Sequence, residues 1–215
     1  DFIRMARQKG FIPVLTTNGT LLANGHQIIE ASPHKIQISL HSQEGNGREY
    51  PVEYVREVMT FAGEAASKGI LVVLRLWNQG GYDHANDIIL DWIAQYQPRP
   101  WTERHDGWKL SENLYVEYDR MFEWPDSERD EYEEVDVFCY ALRNQIGVLV
   151  DGSVVPCCLD HNGDITLGNL FKQSLDDILA SPRAKMLYDG FTRHVANEPL
   201  CRRCGYAMET KRYRR

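Results

Sequence analysis

The sequence predicts an α/β fold, a parallel sheet covered by helices, followed by a smaller α+β domain that carries every cysteine. Three observations lead there. Apolar runs with strand character alternate with helical periodicities between residues 11 and 118, and such alternation calls for parallel strands joined by crossover helices. An acidic stretch between Met121 and Phe138 then breaks the pattern. From Cys139 onward the candidate elements shorten, and Asp151-Gly152 is a two-residue hairpin signal between two brief strand candidates.

Taken in order, Phe2 to Lys9 reads as the last turns of an amphipathic helix closed by Gly10. A chain that opens at Asp1 on such a segment is expected to be a fragment of a longer protein. Phe11 to Thr16 is a β-rich apolar run stopped by the turn Thr17-Asn18-Gly19-Thr20. Leu21 to Ala31 carries a short helix interrupted by Asn24-Gly25 and closed by Ser32-Pro33, after which Lys35 to Leu40 alternates as a strand should. Pro51 suits the first position of a helix whose apolar residues, Val52, Val55, Val58, Met59, Ala62, Ala65 and Ala66, keep helical spacing up to Gly69. Ile70 to Trp77 is a nearly continuous apolar run, the mark of a strand buried on both faces, broken only by Arg75. Ile88, Ile89, Trp92, Ile93 and Tyr96 return to helical spacing before Pro98, and Asn113 to Tyr118 is a further strand. Ligand sites of such folds gather at the carboxyl ends of the strands, here Thr16 to Gly19, Ser39 to Ser42, Arg75 to Asn78 and the segment after Tyr118.

The composition, 43% hydrophobic and 26% charged, is that of a folded soluble domain. No apolar stretch reaches the length of a membrane span, and no secretory leader opens the chain, so a cytoplasmic protein is expected. The net charge of −7 repels nucleic acid at long range. Eight acids (Glu123, Asp126, Glu128, Asp130, Glu131, Glu133, Glu134 and Asp136) against the single base Arg129 read as a solvated linker.

The five cysteines are Cys139, Cys157, Cys158, Cys201 and Cys204. Their clustering in one part of a chain with an odd total favours metal ligation over disulfides. Four thiolates suit zinc or an iron–sulfur cluster equally well by ligand type. A hairpin delivers Cys157 after its second strand and Cys139 stands before its first, which is how metal sites assemble from rigid turns. Cys158 is the poorer ligand, since adjacent residues seldom both face one metal, and reads as a small buried thiol.

These residues carry a resemblance. The order C-x12-G-x4-C (Cys139, Gly152, Cys157), then Gly168-Asn169-Leu170, the helix Ser174 to Leu179, Ser181-Pro182 and Cys201-x-x-Cys204 resembles the auxiliary-cluster domain, SPASM or its shorter twitch variant, of radical SAM enzymes. Upstream, Thr16 to Leu22 and Ile38 to Ser42 resemble the loops after the third and fourth strands of the radical SAM partial barrel. The resemblance implies that residues 1–120 are strands three to six of a partial (β/α) TIM-like barrel, 121–138 an acidic linker, and 139–215 a small cluster domain. The C-x3-C-x2-C loop that holds the catalytic [4Fe-4S] cluster in that superfamily, and the Gly-Gly-Glu-type stretch that binds the SAM amine, are absent from these residues. The resemblance therefore implies a C-terminal portion that cannot by itself cleave SAM, from an enzyme using S-adenosylmethionine and a second, catalytic [4Fe-4S] cluster. No cysteine follows Cys204, so the four ligands Cys139, Cys157, Cys201 and Cys204 match the twitch variant with one auxiliary [4Fe-4S] cluster.

Carried over residue by residue, Ser39 resembles the hydroxyl that bonds the SAM ribose, or else satisfies local backbone. Asn18 either lines the same pocket or serves its turn. Arg48 or Arg75 would pair with the SAM carboxylate, Arg75 being the better placed because a charge in so apolar a strand needs a partner. His41 faces substrate or the surface, and the basic residues Lys211, Arg212, Arg214 and Arg215 read as a solvated terminus. The implied partners are a peptide or small-molecule substrate and an external electron donor. The alternative from another class is a non-enzymatic module with a structural four-cysteine zinc site.

Overall fold

The computed structural model describes residues 1–40, 52–78, 85–129 and 133–212. It divides into two compact units, Asp1–Met121 and Phe122–Arg215. Among the described residues no helix is long and apolar enough to cross a membrane.

The first unit is a six-stranded mixed sheet with helices. Its elements are α1 (Phe2–Gln8), β1 (Val14–Thr17), α2 (Gly25–Ala31), β2 (Lys35–Ser39), α3 (Val52–Ser67), β3 (Leu71–Asn78), α4 (Ala85–Ala94), β4 (Thr102–Arg104), β5 (Gly107–Ser111) and β6 (Leu114–Arg120). The strand order is β1-β2-β3-β6-β5-β4. The four strands expected from the sequence, β1, β2, β3 and β6, run parallel. β5 and β4 add an antiparallel hairpin at the far edge, an element the periodicity does not announce.

β1 begins at Val14 rather than Phe11. Pro13 has no N–H to give to a ladder and instead supplies its carbonyl to His34 N–H at 2.9 Å. β2 shows why the sheet has two unlike faces: Ile36 and Ile38 are buried, whereas Lys35, Gln37 and Ser39 are only half-buried. On the apolar face α3 packs through Val55, Val58, Met59, Ala62, Ala65 and Ala66 at the spacing of a helical stripe, against Ile36, Ile38, Val72 and Leu74. The turn expected at residues 17–20 forms as a tight one. Gly19 has φ +68, and a Cβ there would meet Val58 and Ile38 at 3.0 and 3.1 Å, so only glycine lets this strand end pack on α3.

The second unit is built of short elements: β7 (Gly147–Val148), β8 (Ser153–Val155), β9 (Gly168–Asn169), α5 (Leu175–Leu179), α6 (Pro182–Thr192), α7 (Pro199–Arg202) and α8 (Gly205–Arg212). β7 and β8 form the expected hairpin, and β9 adds antiparallel to β8. Asp151 fixes its turn by accepting Ser153 N–H and Ser153 Oγ–H, both at 3.0 Å. Glycine is needed at 168 because a Cβ there would strike Gln173 and Ile178 of the closely packed α5 segment, at 2.3 and 2.7 Å. Ser174 and Ser181 cap α5 and α6 by accepting Asp177 N–H and Ala184 N–H. Val154, Ile165, Leu167, Ile178, Leu187 and Phe191 form the core of this unit.

The acidic stretch is more than the solvated linker its charge suggests. Val137 is buried, Asp136 pairs with Val195 in a β-bridge, and Glu134 N–H donates to the Arg202 carbonyl at 2.8 Å. Glu133 bonds Arg202 and Glu123 bonds Arg129, so part of the charge is matched within the unit.

The sheet of the first unit depends on the buried side of β3. Leu74→Ala is expected to destabilise the unit by about 3 kcal/mol, the usual cost of truncating a fully buried leucine. A chemical-denaturation midpoint equal to wild type would contradict that packing.

Candidate metal centre

Four segments of the second unit deliver one candidate ligand each. Cys139 lies in the stretch before β7, Cys157 two residues after β8, Cys201 within α7, and Cys204 just ahead of α8. All five cysteines are free thiols. Cys139, Cys157 and Cys201 pack against the main core of the unit, and Cys139, Cys201 and Cys204 against a smaller cluster of Val137, Ala196 and Ala207. Two apolar clusters thus meet at these sulfurs. Cys158 differs from its expectation as a buried thiol, for it is exposed.

The four sulfurs share one electrostatic environment. Burial raises each thiol above its ordinary value, Cys157 to about 11 and Cys201 well beyond that of a free cysteine. The charges of Cys139, Cys157 and Cys204 each push Cys201 further up, and those of Cys139 and Cys204 push up Cys157. Such mutual repulsion requires proximity. Among the described residues, no group of three or more His, Cys, Asp or Glu side chains is gathered tightly enough to hold a single metal ion.

Backbone amides offset part of that cost. Ala141 N–H donates to Cys139 Sγ at 3.4 Å, and Tyr140 N–H also favours its anionic form. Leu159 and Asp160 do the same for Cys157, as do Tyr206 and Ala207 for Cys204. Amides aimed at sulfur stabilise a thiolate and tune a metal bound to it. The donor set fits an iron–sulfur cluster in kind: soft thiolates, enclosed by apolar side chains and supported by N–H donors.

Two residues that carry no motif support these ligands. Asp160, 2% exposed, accepts Asp164 N–H and Ile165 N–H at 2.9 Å each and so closes the loop that follows Cys157. Glu198 stands at the N-terminus of α7 and receives a two-pronged hydrogen bond from Arg183. The Glu198-Pro199 pair is a legible helix start; its arginine partner, fifteen residues upstream, leaves no sequence signal.

In the first unit, the polar face of the sheet brings Ser39, Arg75 and Glu117 side by side across β2, β3 and β6. Arg75 does have a charged partner, the carboxylate of Asp119. The side chain of Asn18 accepts Thr20 N–H and Thr20 Oγ–H, the bonds of a turn residue. Arg48 and His41 lie outside the described residues, as do Arg214 and Arg215, and the side chains of Lys211 and Arg212.

Residues 139–205 match the family model of SPASM, an iron–sulfur cluster-binding domain. Its match opens on Cys139 and runs one residue past Cys204, so it takes in all the candidate ligands. Among solved structures, SuiB from Streptococcus suis shares the fold with a TM-score of 0.53 at 12% identity, over 87% of this chain and 53% of SuiB. SuiB bound to S-adenosylmethionine gives 0.53 at 10% identity, over 86% and 52%. BtrN in complex with AdoMet and 2-DOIA gives 0.45 at 16%, over 94% and 76%. The chain therefore spans about half the length of SuiB. No curated protein matches. The resemblance drawn for the cysteine-bearing part, to a SPASM-type iron–sulfur domain, agrees with the family model over residues 139–205, and the α/β class with its parallel sheet is borne out by the fold.

The second unit has a pH signature of its own. Its thiols titrate higher in the folded than in the unfolded chain, so metal-free stability is full below the unfolded thiol value near 9 and is lost as pH rises through about 11. Denaturant midpoints of the metal-free protein should fall across that window. Replacing Cys139, Cys157, Cys201 and Cys204 together by serine should flatten the fall, and an equal fall in that variant would refute the assignment.

Proposed function

We propose that the chain serves in a radical SAM enzyme and that its SPASM domain holds one [4Fe-4S] cluster through Cys139, Cys157, Cys201 and Cys204, as in the twitch variant. The observation that carries this reading is that the match to an iron–sulfur domain brackets the four thiols that share one buried electrostatic site. The cluster, when bound, supplies electron transfer or a rigid staple, and ligation by all four thiols leaves no coordination position open for substrate.

The chain's own residues define the rest. Apolar clusters on two sides partly bury the four cysteines, and the amides of Tyr140, Ala141, Leu159, Asp160, Tyr206 and Ala207 favour the thiolates. In the first unit, Ser39 at the carboxyl end of β2 offers a hydroxyl to the ribose of SAM. Arg75 beside it, paired with Asp119, or Arg48 offers a guanidinium to the SAM carboxylate. Asn18 contributes by shaping the turn at the end of β1. In the whole enzyme, a 5′-deoxyadenosyl radical would abstract hydrogen from a peptide or small molecule, with an external electron donor, in the reducing cytoplasm that free thiols suit.

The test is anaerobic production followed by iron, sulfide and zinc analysis with a visible spectrum. About four irons and four sulfides per chain are expected, lost in Cys201→Ala and kept in Cys158→Ala. One zinc without iron would replace the cluster by a structural four-cysteine zinc site.

A further inference from the structure

Arg183 sits in the first turn of α6, directly after Pro182, where the helix dipole disfavours a cation. Helix stability therefore does not explain it. Its Nε and Nη2 donate to the two carboxylate oxygens of Glu198 at 2.7 and 3.0 Å, a fork that only arginine makes. Its remaining Nη1 donates to the Thr166 carbonyl at 3.1 Å. Thr166 ends the loop that leaves Cys157 and is closed by Asp160, while Glu198 begins the helix that carries Cys201. One guanidinium thus joins the two ligand-bearing segments. Glu198 is largely enclosed, its side chain 13% exposed, and Arg183 is 41% exposed.

The pair also bears on Cys201 electrostatically. The charge of Cys201 interacts with both Arg183 and Glu198, with opposite sign.

We propose that Arg183 and Glu198 form a positioning device for the cluster of the SPASM domain, holding the Cys157 loop to the Cys201 helix and setting the charge felt at Cys201. The proposal rests on the iron–sulfur reading of the four cysteines. A cation near a cluster favours its reduced, more negative state and raises the potential; an anion lowers it. Loss of either partner frees the N-terminus of α7, so the two substitutions agree in their effect on metal retention and oppose each other in their effect on potential.

The experiment compares wild type, Arg183→Gln, Glu198→Gln and Arg183→Lys, each loaded anaerobically. Iron release to a chelator and the cluster midpoint potential are measured. Both neutral variants should release iron several-fold faster than wild type. The potential should move down in Arg183→Gln and up in Glu198→Gln. Arg183→Lys keeps the charge and loses the fork, so it should hold a near-wild-type potential with faster release. Should Arg183→Gln fail to assemble, Glu198→Gln and Arg183→Lys still decide the matter. Potentials that stay put, or shift together, overturn the proposal, as does wild-type iron release in all three. Failure of the underlying reading shows elsewhere, in a wild-type chain that takes up no iron, and that result removes the proposal with it.

Discussion

Burying four thiols within one small unit is a constraint that the rest of that unit has to satisfy. Removing the metal-binding form of each sulfur from water costs stability, and the charges repel one another, which is why every thiol among them is shifted upward and Cys201 most of all. A unit whose strands are two or three residues long and whose longest helix is α6 has little regular structure with which to absorb that cost. The groups that absorb it are local: amides turned toward three sulfurs, the Asp160 carboxylate closing one loop, and the Arg183–Glu198 fork tying two segments. A metal centre bound by these thiols would convert the liability into folding energy, since thiolates that repel one another would become its ligands.

The two units solve unlike problems. In the first, an extended apolar layer between sheet and helices supplies stability without help, and contacts among α2, α3 and α4 put helices together on one side of β3. In the second, apolar side chains are divided between two clusters, and the cysteines belong to both. Small cores of this kind commonly need a staple, and here the staple and the candidate functional centre are the same set of side chains.

Much of this was legible in the sequence because the relevant signals are local. Alternation in Lys35 to Ser39 and the apolar run around β3 give strands; Asp151-Gly152 gives a hairpin; Ser181-Pro182 gives a helix start. The β4–β5 hairpin was hidden because Thr102, Glu103 and Arg104 are all exposed and so carry no alternation. The fate of the acidic stretch was hidden for a related reason: its partners, Arg202 and Val195, lie far along the chain. Pairing across sequence distance also decided Arg75, whose need for a partner was readable and whose partner, Asp119, was not. At the candidate metal centre the spacing singled out the cysteines, while the amides and the guanidinium beside them answer to geometry alone.

The two faces of the first sheet differ in kind. A parallel strand enclosed between two helical layers is apolar throughout, as β3 nearly is. β2 departs from that rule, with Lys35, Gln37 and Ser39 on the face opposite Ile36 and Ile38, and its neighbours continue the departure through Thr16, Arg75 and Glu117 in register. These groups find partners on the face itself: Thr16 Oγ–H donates to Gln37 Oε1 at 3.4 Å, and Arg75 pairs with Asp119. The position of Ser39 and Arg75 toward the carboxyl ends of their strands matches where α/β sheets place their ligands. The sheet therefore has one apolar face that packs on α3 and one polar face on which Ser39, Arg75 and Glu117 stand side by side.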